Sequence, residues 1–299
     1  MILFLSNGRQ IRGDLISSAV LRSDLSPVPL TLEADIRGGD ESIDPFLQEG
    51  AEIKDAADNG LHIVKSVRVS GRIAQGDHGM TGYRITALLA PCVSVAYVRS
   101  RAIIKENSTL GAIYKAADAT VPAIKSDFPV PRFCCPVGET PSFHIARALQ
   151  EEGGVVRWKN GRLQFLKLKD IFTQKAVRTI PSNASESIDG GFLERHEVPW
   201  FFSLDSGGQF VFGNRAKPRA VRFAPFTNAQ RLQNMTACLV TKKTAKIPFD
   251  MRICAGDVIE DEIETRYAVI TAAHVFKSGS DTGGNSETYT KLWLGELEQ

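Results

Sequence analysis

The chain has 299 residues, 43% of them hydrophobic and 23% charged, with a formal net charge of +2. That length suffices for one large core or two to three smaller ones, and so even a charge balance points to neither nucleic acid nor membrane as a partner. Only five apolar residues precede Ser6, too few for the apolar region of a secretion signal, and no run approaches the roughly 20 residues of a membrane span, so no membrane anchor is expected. The cysteines are Cys92, Cys134, Cys135, Cys238 and Cys254. An odd count without a secretion signal fits reduced thiols and assembly in a cytoplasm.

The first hundred residues read as strands. ILFLSNGRQIRG carries an Asn7-Gly8 turn, a strong hairpin signal. PLTLEADIR points Leu30, Leu32, Ala34 and Ile36 to one face, the period-2 pattern of a half-buried strand. LHIVKSVRVSGRI, GYRITALLAP and VSVAYVRSRAII continue in that style, with the Gly-rich loop AQGDHGMTG among them. The middle then changes character. NSTLGAIYKAADA has Ser108 or Thr109 as a cap, with Leu110, Ile113, Tyr114 and Ala117 on one helical face. In ETPSFHIARALQEEGG, Thr140 caps, Pro141 opens the helix, Ile145, Ala146 and Leu149 share a face, and Gly153 ends it. VVRWKNGRLQFLKL is a hairpin turning at Asn160-Gly161, and RTIPSNASESIDGG reads as a polar linker.

From Phe192 strands return in QFVFG, AVRFAPF, MTACLVT, FDMRICAGDVI, TRYAVITAAHVF and YTKLWLGEL. Short strands with Gly-rich turns argue for barrels or sandwiches. The expected class is mainly β with an α+β insert, divided at residues 1–100, 101–185 and 186–299. Charge is uneven here. Residues 214–252 hold nine Lys or Arg and one acid, and residues 253–299 hold nine acids and three bases. These are two solvated faces or two complementary surfaces that meet, within one chain or between chains.

Two strings raise catalysis. VITAAHVF resembles the histidine signature of a trypsin-type protease, and SLDSGG resembles its serine signature. Yet Ser206 precedes His274, an order that requires a circular permutation, and Leu204 stands where the pattern has Gly. The alternative to two decoys is a permuted serine hydrolase using Ser206 and His274. Adjacent Cys134 and Cys135 lack the gap that lets two thiolates wrap one zinc, and His62, His78, His144, His196 and His274 have no ligand spacing. QGDHGMTG precedes no helix, so it reads as a hairpin loop rather than an anion cradle. KPRAVRF interleaves bases and aromatics as a nucleic-acid surface does, but a sheet that alternates in and out gives the same pattern. No catalytic, cofactor-binding or metal-binding residue is expected, and no cofactor.

The order of features resembles the baseplate hub proteins of contractile phage tails, the late-control tail proteins and the core of type VI secretion VgrG spikes. SDLSPVPLTLEADIR with LQEGAEI is similar to the opening strands of such hubs, and YVRSRAIIKENSTLGAIYKAA to their passage into a middle module. The most specific piece is ETPSFHIARALQEEGGVVRWKNGRLQF, in which a helix ends in Glu-Glu-Gly before a hairpin. DMRICAGDVIE and RYAVITAAHVFKSG resemble the closing strands. The resemblance implies two tube-like β-barrel domains per chain and a homotrimer forming a pseudo-six-fold ring. That ring would adapt the six-fold tail tube to a three-fold spike, with a central channel that passes phage DNA without sequence-specific binding. It further implies a tail spike protein, tail tube or tube-initiator proteins and baseplate wedge proteins as partners, and a place in the virion after assembly in the host cytoplasm. With no needle following Gln299, the spike is expected as a separate chain. A monomeric β-barrel binding protein is the remaining alternative.

Overall fold

A computed structural model of the chain describes residues 1–38, 43–71, 80–181, 185–187, 199–215, 220–279 and 286–298. In chain order the first strands are β1 (Leu3–Leu5), β2 (Ile16–Asp24), β3 (Leu30–Arg37), β4 (Glu52–Asp55), β5 (Gly60–Gly71) and β6 (Met80–Leu89). The middle holds β7 (Ile103–Thr109), α1 (Leu110–Ala116), β8 (Pro129–Cys135), α2 (Pro141–Glu151), β9 (Gly154–Lys159), β10 (Arg162–Lys167), α3 (Leu168–Ile171) and β11 (Arg178–Ile180). The last part holds β12 (Ser185–Ser187), β13 (Trp200–Leu204), β14 (Phe210–Phe212), β15 (Val221–Phe223), α4 (Ala229–Asn234), β16 (Cys238–Pro248), β17 (Val258–Asp261), β18 (Arg266–Lys277) and β19 (Glu287–Glu298).

The chain is mainly β, but its strands close no barrel among the described residues. Twelve of them join one sheet in the order β1-β4-β5-β6-β3-β2-β18-β19-β16-β12, with β17 beside β18 and β11 beside β17, and the others form the small sheets β7-β8, β9-β10 and β14-β13-β15. The physical reason is strand β18. Its first residues, Arg266 to Ala268, pair with β17 on one side. After an irregularity in its pairing with β19 at Ile270, residues Thr271 to Lys277 pair on that same side with β2. An extra residue in a strand bends it and re-aims its neighbours. The strands of the first and last segments therefore run on without a break. Thr271 Oγ1 donates to Asp24 Oδ1 at 2.6 Å on this seam. The bulged Ile270 lies over Gly295 of β19, where a Cβ would come within 2.5 Å of its side chain.

Local chemistry explains most elements. Leu30, Leu32, Ala34 and Ile36 are all buried, as the alternation predicts. Strand β18 is buried in runs instead (Tyr267 to Val269, Ala272 to Val275), because a central strand covered on both faces loses the period of two. Four hairpin turns share one geometry, with the first residue bonded to the fifth and the fourth at positive φ: Leu5 to Arg9, Asp55 to Asn59, Asp205 to Gln209, and Asp261 to Thr265. In the last three, the Asp Oδ1 accepts two backbone N–H groups of its own turn. Asp suits this place because its short carboxylate reaches amides two and four residues on.

The middle elements match the expected helices with adjustments. Thr109 Oγ1 caps α1 by accepting from Ala112 N at 3.3 Å, and Leu110, Ile113, Tyr114 and Ala117 are buried. Thr140 occupies the cap position of α2 without a side-chain cap bond, and Ala148 rather than the exposed Ala146 joins Ile145 and Leu149 in the core. Gly153 ends that helix at φ +67°. Two expectations are corrected. Ala90–Ala96 is a 3-10 turn rather than strand, since Pro91 fixes φ and lacks a ladder donor. The segment expected as a linker contains β11, parallel to β17, and β12, antiparallel to β16. The loop QGDHGMTG lies largely outside the described residues.

The β9–β10 hairpin turns at Asn160-Gly161 as expected, both at positive φ. It is locked at its tip. Buried Arg157 donates to Asp257 Oδ1 at 2.9 Å, to Gly256 O at 3.0 Å and to Gln174 Oε1 at 3.2 Å. Lys159 Nζ reaches the same Asp257 oxygen at 2.5 Å. From the opposite face, Trp158 Nε1 donates to Asn59 Oδ1 at 2.7 Å. One hairpin thus grips the turn before β5 and the loop before β17. Removing one partner of a buried ion pair leaves the other charge stranded, which costs about 3–5 kcal/mol. Asp257→Ala should lower the unfolding free energy by that order in urea denaturation. A variant as stable as the parent would contradict the lock.

Candidate functional site: an exposed aromatic sheet

Strands β13, β14 and β15 form a separate three-stranded sheet. β13 pairs antiparallel with β14 (Phe202 with Phe212, Leu204 with Phe210) and parallel with β15 (Trp200 with Val221, Phe202 with Phe223). Alternation along β13 sends Phe201 and Ser203 inward, where Phe201 joins Ala224, Leu232 and Met235 in a small core. It sends Trp200, Phe202 and Leu204 to the other face, and the register sets Phe210, Phe212, Val221 and Phe223 beside them. That face is apolar throughout and open: Phe210 is 64% and Phe223 51% exposed.

The rings contact one another. Phe202 lies 5.8 Å from Phe210, 6.3 Å from Phe212 and 5.2 Å from Phe223 between centroids. The Arg215 guanidinium sits 4.6 Å above Phe212 and 5.5 Å from Trp200, the geometry of a cation over an aromatic face. The lobe is held to the middle elements through α4. Asn228 caps α4 by accepting from Arg231 N at 2.9 Å. Arg231 then pairs with Glu152 and, at 3.6 Å, with Glu151 of α2. Burial pushes the Glu151 carboxyl up, against the pull of Arg147 and Arg231. A contiguous apolar face of this kind is uncommon on a lone soluble protein, which makes it the candidate interaction surface of this molecule.

The residues raised by the catalytic strings are not brought together. Ser206 is exposed in the Asp205–Gln209 turn, whose Asp carboxylate binds amides of that turn. His274 stands in β18 of the large sheet, 3% exposed, with Nδ1 3.0 Å from Thr290 Oγ1 and its ring edge-on to Phe249. It borders a cavity of about 580 Å³ shared with Asp55, Trp158 and Cys254. The permuted triad has no geometry here. His144 pairs with Glu139, His62 lies on β5, and His78 and His196 fall outside the described residues. No disulfide links the five cysteines. Burial, with Asp257 adding to it, pushes the Cys254 thiol up to about 12, which suits a packing role rather than a nucleophile. Among the described residues no group of His, Cys, Asp and Glu is placed to hold a metal ion, and no helix is long and apolar enough to cross a membrane.

The aromatic face was not read from the sequence. WFFSL, FVF and VRF show alternation, but neither their pairing nor the bare face is local information. Of KPRAVRF, the described part is Ala220 with β15, and Val221 and Phe223 lie on the aromatic face.

No family model matches the sequence, and no curated protein matches it. In fold, 99% of the chain is similar to the tail protein from Neisseria meningitidis MC58, at TM-score 0.66 and 12% identity over 95% of that chain. A second likeness, at TM-score 0.60 and 10% identity, is to the 43 kDa tail protein of prophage MuSo2 from Shewanella oneidensis, over 98% of this chain and 96% of that one. A third is an E. coli component of the type VI secretion system with structural similarity to the T4 tail proteins gp27 and gp5 (TM-score 0.57, 10% identity, 95% of this chain and 74% of that one). The chain has the fold of phage tail proteins and of a type VI secretion component, over nearly its whole length.

Two outcomes follow from the site. Fluorophosphonate probes should leave Ser206 unlabelled, and labelling abolished by Ser206→Ala would contradict the separation of Ser206 from His274. For His274, burial drives the folded pKa down to about 4, from an ordinary 6.5, with Asp250 and Asp55 opposing it in part. Between those values the unfolded chain binds the proton that the folded chain refuses. Stability therefore falls as pH drops from 6.5 towards 4, by roughly 3 kcal/mol in full. His274→Gln should flatten that part of the urea-stability profile. An unchanged pH dependence would contradict a buried neutral His274.

Proposed function

We propose that this protein is a structural hub of a phage tail or a related injection machine. Three copies close a ring around a channel and adapt a six-fold tube to a three-fold spike. Residues 1–100 and 186–299 each supply a tube-wall unit, and residues 101–185 form the module between them. Two units per chain fill two of six equivalent places, so three chains complete the ring. DNA passes through the channel without base-specific contacts. The partners are a spike protein, tube or tube-initiator proteins and wedge proteins of the baseplate. The chain works in the virion after assembly in the host cytoplasm, and its role is architectural, without catalysis.

The observation that carries this reading is the β2–β18 ladder, which sets the strands of the first and last segments side by side in one continuous sheet. The likeness to tail proteins over 99% of the chain supports it. The reading predicts a trimer by multi-angle light scattering, alone or with spike and tube proteins. A monomer at high concentration that persists inside an assembled tail would contradict it and favour a monomeric binding protein.

A further inference from the structure

The aromatic face has a complement elsewhere on the same molecule. The β17–β18 turn projects Ile263, 78% exposed, between the exposed Glu262 and Glu264. The tip is rigid. Asp261 Oδ1 accepts from Ile263 N at 3.1 Å and Thr265 N at 2.9 Å, and its Oδ2 accepts from Lys243 Nζ at 3.1 Å. Burial favours the neutral Asp261 carboxyl, but these donors outweigh it and hold the group below its usual range. An apolar knob on a fixed turn loses little freedom when it docks.

The face carries the opposite signature. Its apolar surface, centred on Phe202, is flanked by Arg215 lying over Phe212 and Trp200. Apolar meets apolar and the acidic tip, through Glu264, meets Arg215, the arrangement that steers and registers an interface. The knob belongs to the large sheet and the face to the three-stranded sheet.

We infer that the Glu262–Ile263–Glu264 tip of one copy docks on the Phe202, Phe210, Phe212 and Phe223 face of the next. Such a head-to-tail contact leaves every copy with one donor tip and one acceptor face, so it closes into a ring or runs on as a fibre. Closure at three rests on the hub reading above, and the contact itself rests on the two surfaces.

The test uses the full chain in a Cys134→Ser background, which removes the exposed native thiol. Ile263→Cys and Phe210→Cys together should give a disulfide between copies on mild oxidation, with a ladder ending at three, and neither alone should give the ladder. Ile263→Asp should weaken self-association by roughly 30-fold or more, as loss of a central apolar anchor does. Its folding is checked by an unchanged melting curve. Glu264→Arg and Arg215→Glu should each weaken association, and the two together should restore it, which a merely structural role of either residue would not do. If the trimer forms as readily with Ile263→Asp, the contact is overturned while the hub reading stands. If the wild type stays monomeric at its highest soluble concentration, the contact is overturned, and mass with spike and tube proteins decides the hub reading separately. A Phe210→Cys chain that crosslinks to a spike or tube protein and not to Ile263→Cys gives the face to that partner and also overturns the contact.

Discussion

The pairing of β2 with β18 is the constraint on which the rest of the molecule depends. It joins residues 18–24 to residues 271–277, so the chain must return to its beginning near its end. Closing so long a loop costs only slightly more than closing one half its length, because the entropy grows with the logarithm of length. Local devices then fix the seam. The irregularity at Ile270 lets β18 exchange β17 for β2 along one edge, and Gly295 makes room for the displaced side chain. The Ser23 Oγ accepts from Ala255 N at 3.1 Å, tying β2 to the loop that also carries Asp257. Above that loop sits the β9–β10 hairpin, with Arg157 and Lys159 on Asp257 and Trp158 on Asn59. A buried charge this well paired fixes one docking position, because any slip strands it.

The same physics accounts for the protease-like strings. TAAHV is a run of small and medium residues because β18 lies centrally in the sheet and is buried on both faces from Ala272 to Val275. His274 is tolerated there as a neutral ring bonded to Thr290. DSGGQ uses the same turn as DAADN and DEIET: an Asp that binds two amides, then a fourth residue at positive φ. Gly208 takes that φ without strain, whereas Asp58 and Glu264 take it at a cost of about 1–2 kcal/mol.

What was legible in the sequence was local. The alternation in β3, the Thr109 cap, the Gly153 stop and the Asn160-Gly161 turn each act within a few residues, and each appears where the sequence places it. The three Asp turns share a local pattern as well, but it becomes visible only once the hydrogen bonds align their strings. The seam was not legible, because the partner of Thr271 lies at Asp24 and no local signal encodes register over that distance. Nor was the aromatic face. WFFSL says that two sets of side chains part, but only the pairing with β14 and β15 and the support of α4 decide which set is bare. The error at Ala146 is of the same kind: a helix face one step off, settled by packing rather than by periodicity.

Under the proposed hub reading, a hub needs a stiff wall and selective joints; the continuous sheet would serve as the first, and the exposed aromatic lobe, braced on α2 through Arg231 and Glu152, as a surface for the second. The central claim is that copies of this chain form a three-fold ring around a channel. Negative-stain imaging of the purified protein, alone and mixed with its spike and tube proteins, tests it most directly. The account predicts class averages of a three-fold ring with an open centre and a pseudo-six-fold wall. Single-copy particles under every one of those conditions would contradict it.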